Sequence, residues 1–600
     1  MDTVTIDSVE SVCNEPESTE QPLRSTAFSD LDHLAGANLS KITMGFSPAA
    51  IILATLDWSL HWADSPGKRL QTALEAYVDS WKFAAFAARS LFENENSEDK
   101  QPDLVTPAAD DYRFRDDHWQ QWPFRLLSQG FLLSEKWWGS ATQNVLGVSP
   151  HHQHQVSFAA RQWLDVFSPS NFPLTNPEVL KKTWQSGGRN LLDGAGNLIE
   201  DTARNLSGKP PAGTEQFQVG KNLAITPGKI IFQNHLIELI QYASTTDQVY
   251  AEPVFIVPAW IMKYYILDLR PENSLIRYLV SQGHTVFCIS WRNIAEPDQN
   301  ISLDDYRRDG VMAALQAIET QLPQRSIHTV GYCLGGTLLS IAAAAMARSK
   351  DNRLATISLF AAQTDFTEPG ELKLFIDHSQ IGILESMMWA HGVLDSRQMA
   401  GAFQILQSND LVWSRLVHDY LMGERKPITD LVAWNADGTR MPYRMHSEYL
   451  RSLFLNNDLA AGRMRVDGQP VAIQNIRIPI FAVGTESDRI APWRSVFKIH
   501  YLADNDITFL LTNGGHNAGI VSEPGHPHRH FALRTKLATD PDLSADEWVA
   551  STPINEGSWW PAWVRWLQQH SSDKLAVALE TSASAWQALP DAPGSYVLEH

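Results

Sequence analysis

The hydrophobic positions fall into two textures along the chain. Residues 45 to 95 carry apolar residues at helical spacing. "SPAAIILATLDWSLHWA" starts at Ser47-Pro48, a capping residue followed by a proline suited to the first helical position. "SPGKRLQTALEAYVDSWKFAAFAARSLF" repeats the signal. Residues 105 to 220 are mixed, with aromatic-rich helical stretches such as "HWQQWPFRLLSQGFLLSEKWWGSAT". Residues 41 to 220 therefore read as a mainly helical N-terminal domain.

From about residue 220 short apolar runs take over: "PVFIVPA", "TVFCISW", "IHTVGY", "LATISLFAA", "IPIFAVG" and "DITFLLT". Their Val, Ile and Phe content and their Gly, Pro or polar borders fit strands buried on both faces of a parallel sheet. Helix-length segments such as "RRDGVMAALQAIETQL" and "TLLSIAAAAMARS" lie between them. The alternation predicts an α/β catalytic domain over residues 221 to 600. The long gap between the fourth and fifth runs, which includes the helical pattern "NDLVWSRLVHDYLMG", predicts a lid inserted at about 366 to 475.

Composition sharpens this picture at a few points. At 600 residues more than one domain is expected. The first forty residues hold eight acidic side chains against the single base Arg24, and read as a disordered acidic tail over residues 1 to 40. The net charge of −20 argues against nucleic acid as a partner. The 21 tryptophans point to extensive aromatic packing. Three cysteines cannot form a disulfide framework, so a reducing compartment is expected. No signal peptide is expected at the start, and the apolar stretch around Asp57 is too short and too polar to span a bilayer. The expectation is a cytoplasmic protein without a transmembrane segment.

The chemistry concentrates in "HTVGYCLGGTLLS". Strand, Gly-x-Cys-x-Gly-Gly, helix is the nucleophile-elbow pattern with Cys333 at its centre. The helix N-terminus favours a thiolate there, and the N–H of Leu334 points to where an oxyanion would form. An elbow needs an acid and then a base further along the chain. "IPIFAVGTESDRIAPW" offers Glu486 and Asp488 after one strand, and "DITFLLTNGGHNAGI" offers His516 after the next. Distance from the strand end favours Asp488, as does the resemblance described next. The histidine-rich "HHQHQ" (151 to 155) and "HPHRH" (526 to 530) have no known metal-ligand spacing and read as solvated loops. No metal or cofactor motif stands out. Cys288, inside "TVFCISW", reads as an inert core thiol.

At these residues the chain resembles the polyhydroxyalkanoate synthases, which polymerise hydroxyacyl-CoA into storage polyester. The blocks that carry the resemblance span about residues 45 to 525. They include "SPSNFPLTNPEVL", "KYYILDLRPENSLIRYLVSQGHTVFCISWRN", "GYCLGG", "AWNADGTRMP", "ESDRIAPW" and "GGHNAGIV". The N-terminal block looks most similar to the single-subunit class I branch, which prefers short-chain monomers.

The resemblance implies an α/β-hydrolase fold, with nucleophile, acid and base at Cys333, Asp488 and His516. The oxyanion hole would use the N–H groups of Leu334 and Trp260. The substrate would be (R)-3-hydroxyacyl-CoA, with 3-hydroxybutyryl-CoA as the expected monomer, and no further cofactor. Soluble and granule-bound pools and a homodimer are also implied. The chain departs from the family pattern at Pro258-Ala259-Trp260-Ile261-Met262-Lys263, at Arg489 after the acid, and at Asn517 after the histidine, where the family often has isoleucine. Two alternatives share the fold: a thiol-dependent polyester or ester hydrolase, and a non-catalytic granule-coating protein.

Overall fold

The computed structural model describes residues 27–43, 45–91, 101–108, 111–399, 401, 408–576 and 589–600. Seven helices open it: α1 (Ala27–Ile42), α2 (Pro48–Ala63), α3 (Pro66–Ser90), α4 (Phe124–Thr142), α5 (Pro150–Val166), α6 (Pro177–Ser186) and α7 (Arg189–Leu206). The Ser-Pro signals act as read: Ser47 caps α2 by accepting from the Ala50 N–H, and Ser149 caps α5 by accepting from the His152 N–H. Trp119, Phe114, Phe131 and Leu132 form a small aromatic core among these helices.

Two expectations are corrected here. Helix α1 occupies the last part of the tail expected over residues 1 to 40; residues 1–26, with Cys13, lie outside the described residues. Its ordering comes from a distant partner. His33 stacks on Trp389 with centroids 5.3 Å apart, and a Cβ on Gly36 would lie 2.6 Å from Ser386 Oγ. The "HHQHQ" segment is no loop but the first turns of α5, started by the same Ser-Pro signal at Ser149-Pro150. His152 Nδ1 meets Asp57 Oδ2 at 2.6 Å and His151 Nε2 lies 3.5 Å from Asp377 Oδ2, so these histidines tie α5 to its neighbours.

The rest of the chain is built on a ten-stranded sheet. Its strands are β1 (Gly228–Gln233), β2 (Ile237–Tyr242), β3 (Val254–Val257), β4 (Val286–Trp291), β5 (Ile327–Tyr332), β6 (Leu354–Phe360), β7 (Ile480–Thr485), β8 (Ile507–Thr512), β9 (His530–Lys536) and β10 (Ile554–Glu556). They lie in the order β1-β2-β4-β3-β5-β6-β7-β8-β9-β10. The six apolar runs of the sequence are β3 to β8, and all five pairings among them are parallel. The two strands at each margin pair antiparallel. Helices cover both faces, among them α8 (Leu275–Ser281), α9 (Ala313–Gln321) and α10 (Leu334–Ser349). Cys288 lies in β4, fully buried; burial first, then the Asp268 carboxylate, push its thiol well above the ordinary range, as befits an inert core residue.

A large insertion separates β6 from β7. It holds α11 (His378–His391), α12 (Tyr443–Tyr449), and a short strand pair, Val393–Leu394 with Met441–Pro442. Three of the N-terminal helices grip it: α1 lies on α11, α7 lies on the turn Leu416–Leu421, and α5 holds the segment just before α11, where Gln155 Nε2 donates to the Leu374 carbonyl at 2.9 Å. At the second contact a Cβ on Gly194 would be 1.9 Å from the Tyr420 carbonyl oxygen. Asp201 pairs there with Arg415 and Arg425, and Asn190 Nδ2 donates to the Leu421 carbonyl at 2.8 Å. Among the described residues no helix is long and apolar enough to cross a membrane.

Candidate active site

The site is assembled at the C-terminal ends of β5, β7 and β8, where an open α/β sheet places its ligands. Cys333 sits between β5 and α10 with φ 53° and ψ −125°. A non-glycine residue pays about 1–3 kcal/mol for such a conformation, and its surroundings must hold it there. They do. The Cys333 N–H donates to the Phe360 carbonyl at 2.9 Å, and the glycines let the turn close. A Cβ on Gly335 would lie 2.1 Å from the Val257 carbonyl oxygen, and one on Gly331 would lie 2.3 Å from Gly336 Cα. The thiol sits at the head of a 16-residue helix whose first N–H groups, Leu334's among them, have no partner within the helix.

Asp488 follows β7 and His516 follows β8. The Asp488 side chain is fully buried and each of its oxygens is engaged. Oδ1 accepts from the N–H groups of Ile490 and Ala491, both at 2.8 Å. Oδ2 accepts from His516 Nδ1 at 2.7 Å and from Thr485 Oγ1 at 3.2 Å. An ionised carboxylate can only accept, so Nδ1 carries the proton and Nε2 is left as the imidazole's basic nitrogen. That Nε2 is buried and has no hydrogen-bond partner of regular geometry, but the Cys333 sulfur lies close enough to act on it. Burial opposes a charge on His516. The Asp488 carboxylate and then the Cys333 sulfur outweigh it and hold the imidazolium well above its ordinary range. Such a trio can move a proton off a thiol and stabilise the charge that results.

Of the two acids offered by the sequence, Glu486 points elsewhere. It is half-exposed, and its Oε1 lies 3.3 Å from His530 Nε2. His530 itself opens β9, so "HPHRH" is a turn running into a strand. Among the described residues no group of three or more His, Cys, Asp or Glu is placed to hold a metal ion.

Trp260, the second expected oxyanion donor, follows β3 in a loop held by the insertion. Its carbonyl accepts from Thr439 Oγ1 at 2.5 Å, the Ile261 carbonyl accepts from the Thr439 N–H at 3.2 Å, and Met262 bridges to Gly438. The buried Trp260 ring packs against Trp291, Tyr306 and Tyr449. Tyr449, at the end of α12, is the insertion's approach to the thiol. Burial first, then the Cys333 charge, keep its phenol neutral well above the ordinary range. Sequence reasoning missed Tyr449 and Thr439, because only the tertiary fold brings the insertion to Cys333.

Comparison with known proteins finds polymerase and α/β-hydrolase matches. Residues 26–68 match the model "Poly-beta-hydroxybutyrate polymerase N terminal", residues 110–279 match "Poly-beta-hydroxybutyrate polymerase (PhaC) N-terminus", and residues 252–523 match the alpha/beta hydrolase fold. The poly(3-hydroxyalkanoate) polymerase of Methylorubrum extorquens is 38% identical over 539 residues, covering 89% of this chain and 88% of that one. The PhaC subunit of the Cupriavidus necator polymerase is 34% identical, covering 82% and 84%.

This chain belongs to the poly(3-hydroxyalkanoate) polymerase family.

The family's PhaC subunit from Rhizobium meliloti (strain 1021) is likewise 36% identical over 90% of this chain. As a member of the poly(3-hydroxyalkanoate) polymerases the chain is an acyltransferase on an α/β-hydrolase fold, preceded by a helical N-terminal region. The polymerase models also bracket the helices that grip the insertion, from α1 to α7.

Proposed function

We propose that the protein polymerises (R)-3-hydroxyacyl-CoA, with 3-hydroxybutyryl-CoA as the preferred monomer, through an acyl-enzyme on Cys333. The observation that carries this reading is the chain from Asp488 to His516, ending beside a thiol at a strained strand-to-helix turn. His516 Nε2 takes the thiol proton, and the thiolate attacks the thioester carbonyl. The N–H of Leu334 and one N–H near Trp260 stabilise the tetrahedral oxyanion; each such donor is worth roughly 100- to 1000-fold in rate. The carbon–sulfur bond to CoA then breaks, and CoA leaves with the proton from His516. In the second half the 3-hydroxyl of another unit gives its proton to His516 and attacks the Cys333 thioester. An ester bond forms, and the Cys333 thiolate is released beside the imidazolium. No cofactor is needed beyond the CoA thioester.

The thiol suits this task. Exchange of one thioester for another is nearly isoenergetic, so the acyl group stays activated for an alcohol. The insertion, arriving at Cys333 with Tyr449 and at Trp260 with Thr439, would shield the thioester from water. An insoluble polyester keeps its enzyme at a surface. Ile51, Ile52, Leu56, Leu60, Leu74 and Trp81 on α2 and α3 are all more than half exposed and would suit such a surface. A homodimer belongs to the same proposal.

The test is purified protein with 3-hydroxybutyryl-CoA, following CoA release and polymer together. Polymer formed in step with CoA is expected, with both lost in Cys333→Ala. Free hydroxy acid in place of polymer would overturn the reading in favour of a hydrolase.

A further inference from the structure

Tyr332 immediately precedes the elbow and is only 2% exposed. Its ring packs on the His516 imidazole, with centroids 5.7 Å apart and planes at 34°. Its hydroxyl donates to Asn517 Oδ1 at 2.5 Å. A buried hydroxyl without an acceptor costs about 1–3 kcal/mol, so the tyrosine requires a polar partner at this place. An aliphatic residue at 517 could not supply one. The asparagine that departs from the family pattern is thus matched to a phenol across the site. This one bond joins the two segments that carry the thiol and the imidazole, since 332 is the neighbour of 333 and 517 the neighbour of 516.

We propose that Tyr332 and Asn517 are positioning residues, forming a buried clamp that sets the His516 ring against Cys333. The proposal rests on the reading of Cys333 and His516 as nucleophile and base. Asp488 holds only one edge of the imidazole, through Nδ1, and leaves the ring free to rock about that bond. The phenol ring against its face removes that freedom. The titratable groups facing His516 are Asp488, Cys333 and Tyr332, while Tyr449 faces Cys333 from the insertion. Burial first, then the charges of Cys333 and Asp488, hold the Tyr332 phenol well above its ordinary range, so it remains a donor throughout the working pH.

The experiment compares Asn517→Ile, Tyr332→Phe and the double variant in the full chain. Three readouts are followed: kcat and KM for 3-hydroxybutyryl-CoA, thermal melting, and the rate of iodoacetamide capture at Cys333 resolved by peptide mass spectrometry. Asn517→Ile orphans the phenol, and kcat is expected to fall about tenfold with KM little changed. Tyr332→Phe costs less, because the half-buried Asn517 can turn to water. The double variant, apolar on both sides, regains the melting temperature because no hydroxyl is orphaned, but not kcat, because the bond that sets the ring is still missing. Capture at Cys333 follows kcat, and its pH dependence shifts in both Asn517→Ile and the double variant. Unchanged kcat and capture in Asn517→Ile would overturn the clamp. So would a double variant that regains kcat and capture together with the melting temperature, since the orphaned hydroxyl alone would then explain the loss. If the unaltered chain released no CoA, the polymerase reading would fall, whereas the order of capture rates would still decide the clamp.

Discussion

His516 Nδ1 donates to Asp488 Oδ2 at 2.7 Å, while the other Asp488 oxygen is anchored by the backbone N–H groups of Ile490 and Ala491. The carboxylate is thus fixed by its own loop before it fixes the histidine. The tautomer of His516 depends on that contact, and its charge depends on it more than on any other neighbour.

Asp488→Asn preserves the shape but replaces an acceptor with a group that can donate. The imidazole is then expected to present the wrong nitrogen to Cys333, and kcat should fall about 1000- to 10,000-fold, the scale seen when a triad carboxylate is neutralised. The Asp488 charge is also the largest influence that raises the His516 proton affinity. The ionisation of His516 in a pH profile of kcat/KM should accordingly move down.

Cys333→Ser places an alcohol at the elbow. Acylation should slow sharply, because a hydroxyl is far less acidic than a thiol. The oxyester that does form is no more activated than the product, so acyl-serine enzyme should accumulate. Intact-protein mass spectrometry after incubation with 3-hydroxybutyryl-CoA checks both expectations.

Gly335→Ala would drive a methyl into the Val257 carbonyl, which is backbone and cannot swing aside. Relaxation must move β3 or unwind the start of α10. A loss of about 1–3 kcal/mol or more in stability is expected, with activity lost even in the folded fraction. Thermal melting and turnover of the soluble variant provide the measure. Gly382→Ala, on α11 with open space around the added Cβ, is the matched control and should be neutral.

Four buried histidines make the fold sensitive to acid. Burial pushes His328, His446 and His500 down to about 4 and His284 down to about 3. All four stay neutral in the folded chain, whereas the unfolded chain protonates them near 6.5. Their stabilising contribution is complete above about pH 6.5 and is lost as pH falls from there toward 4. Melting temperature should drop over that window, and His446→Phe should flatten the drop by up to one proton. His516 acts in the opposite sense: its raised affinity adds stability below about 6.5 that is lost as pH rises through its folded value.

How much of this was legible in the chain depended on how local each signal is. β3 to β8 stood out because strands buried on both faces are apolar without interruption. β1, β2, β9 and β10 carry polar residues such as Lys229, Glu238, Arg534 and Glu556 between their apolar ones, and did not. The elbow and the order of acid and base are motif-level features, so Cys333, Asp488 and His516 could be named in advance as the residues the fold brings together. Helix α1 could not, since what orders it is Trp389 and Ser386, far away in sequence. The role of Asn517 was equally hidden. It reads as a departure from a pattern until Tyr332 is found across from it.

The grip of α1 on α11, and of α7 on the turn around Tyr420, has a mechanical consequence. The insertion beside Cys333 is not a flap on a free hinge but a beam pinned by α1, α5 and α7 of the N-terminal helices. To swing away from Trp260 and the thiol it must either slip past Gly36 and Gly194, where an added Cβ would already clash, or carry α1 and α7 along. Any movement of the insertion is therefore tied to the N-terminal helices that hold it.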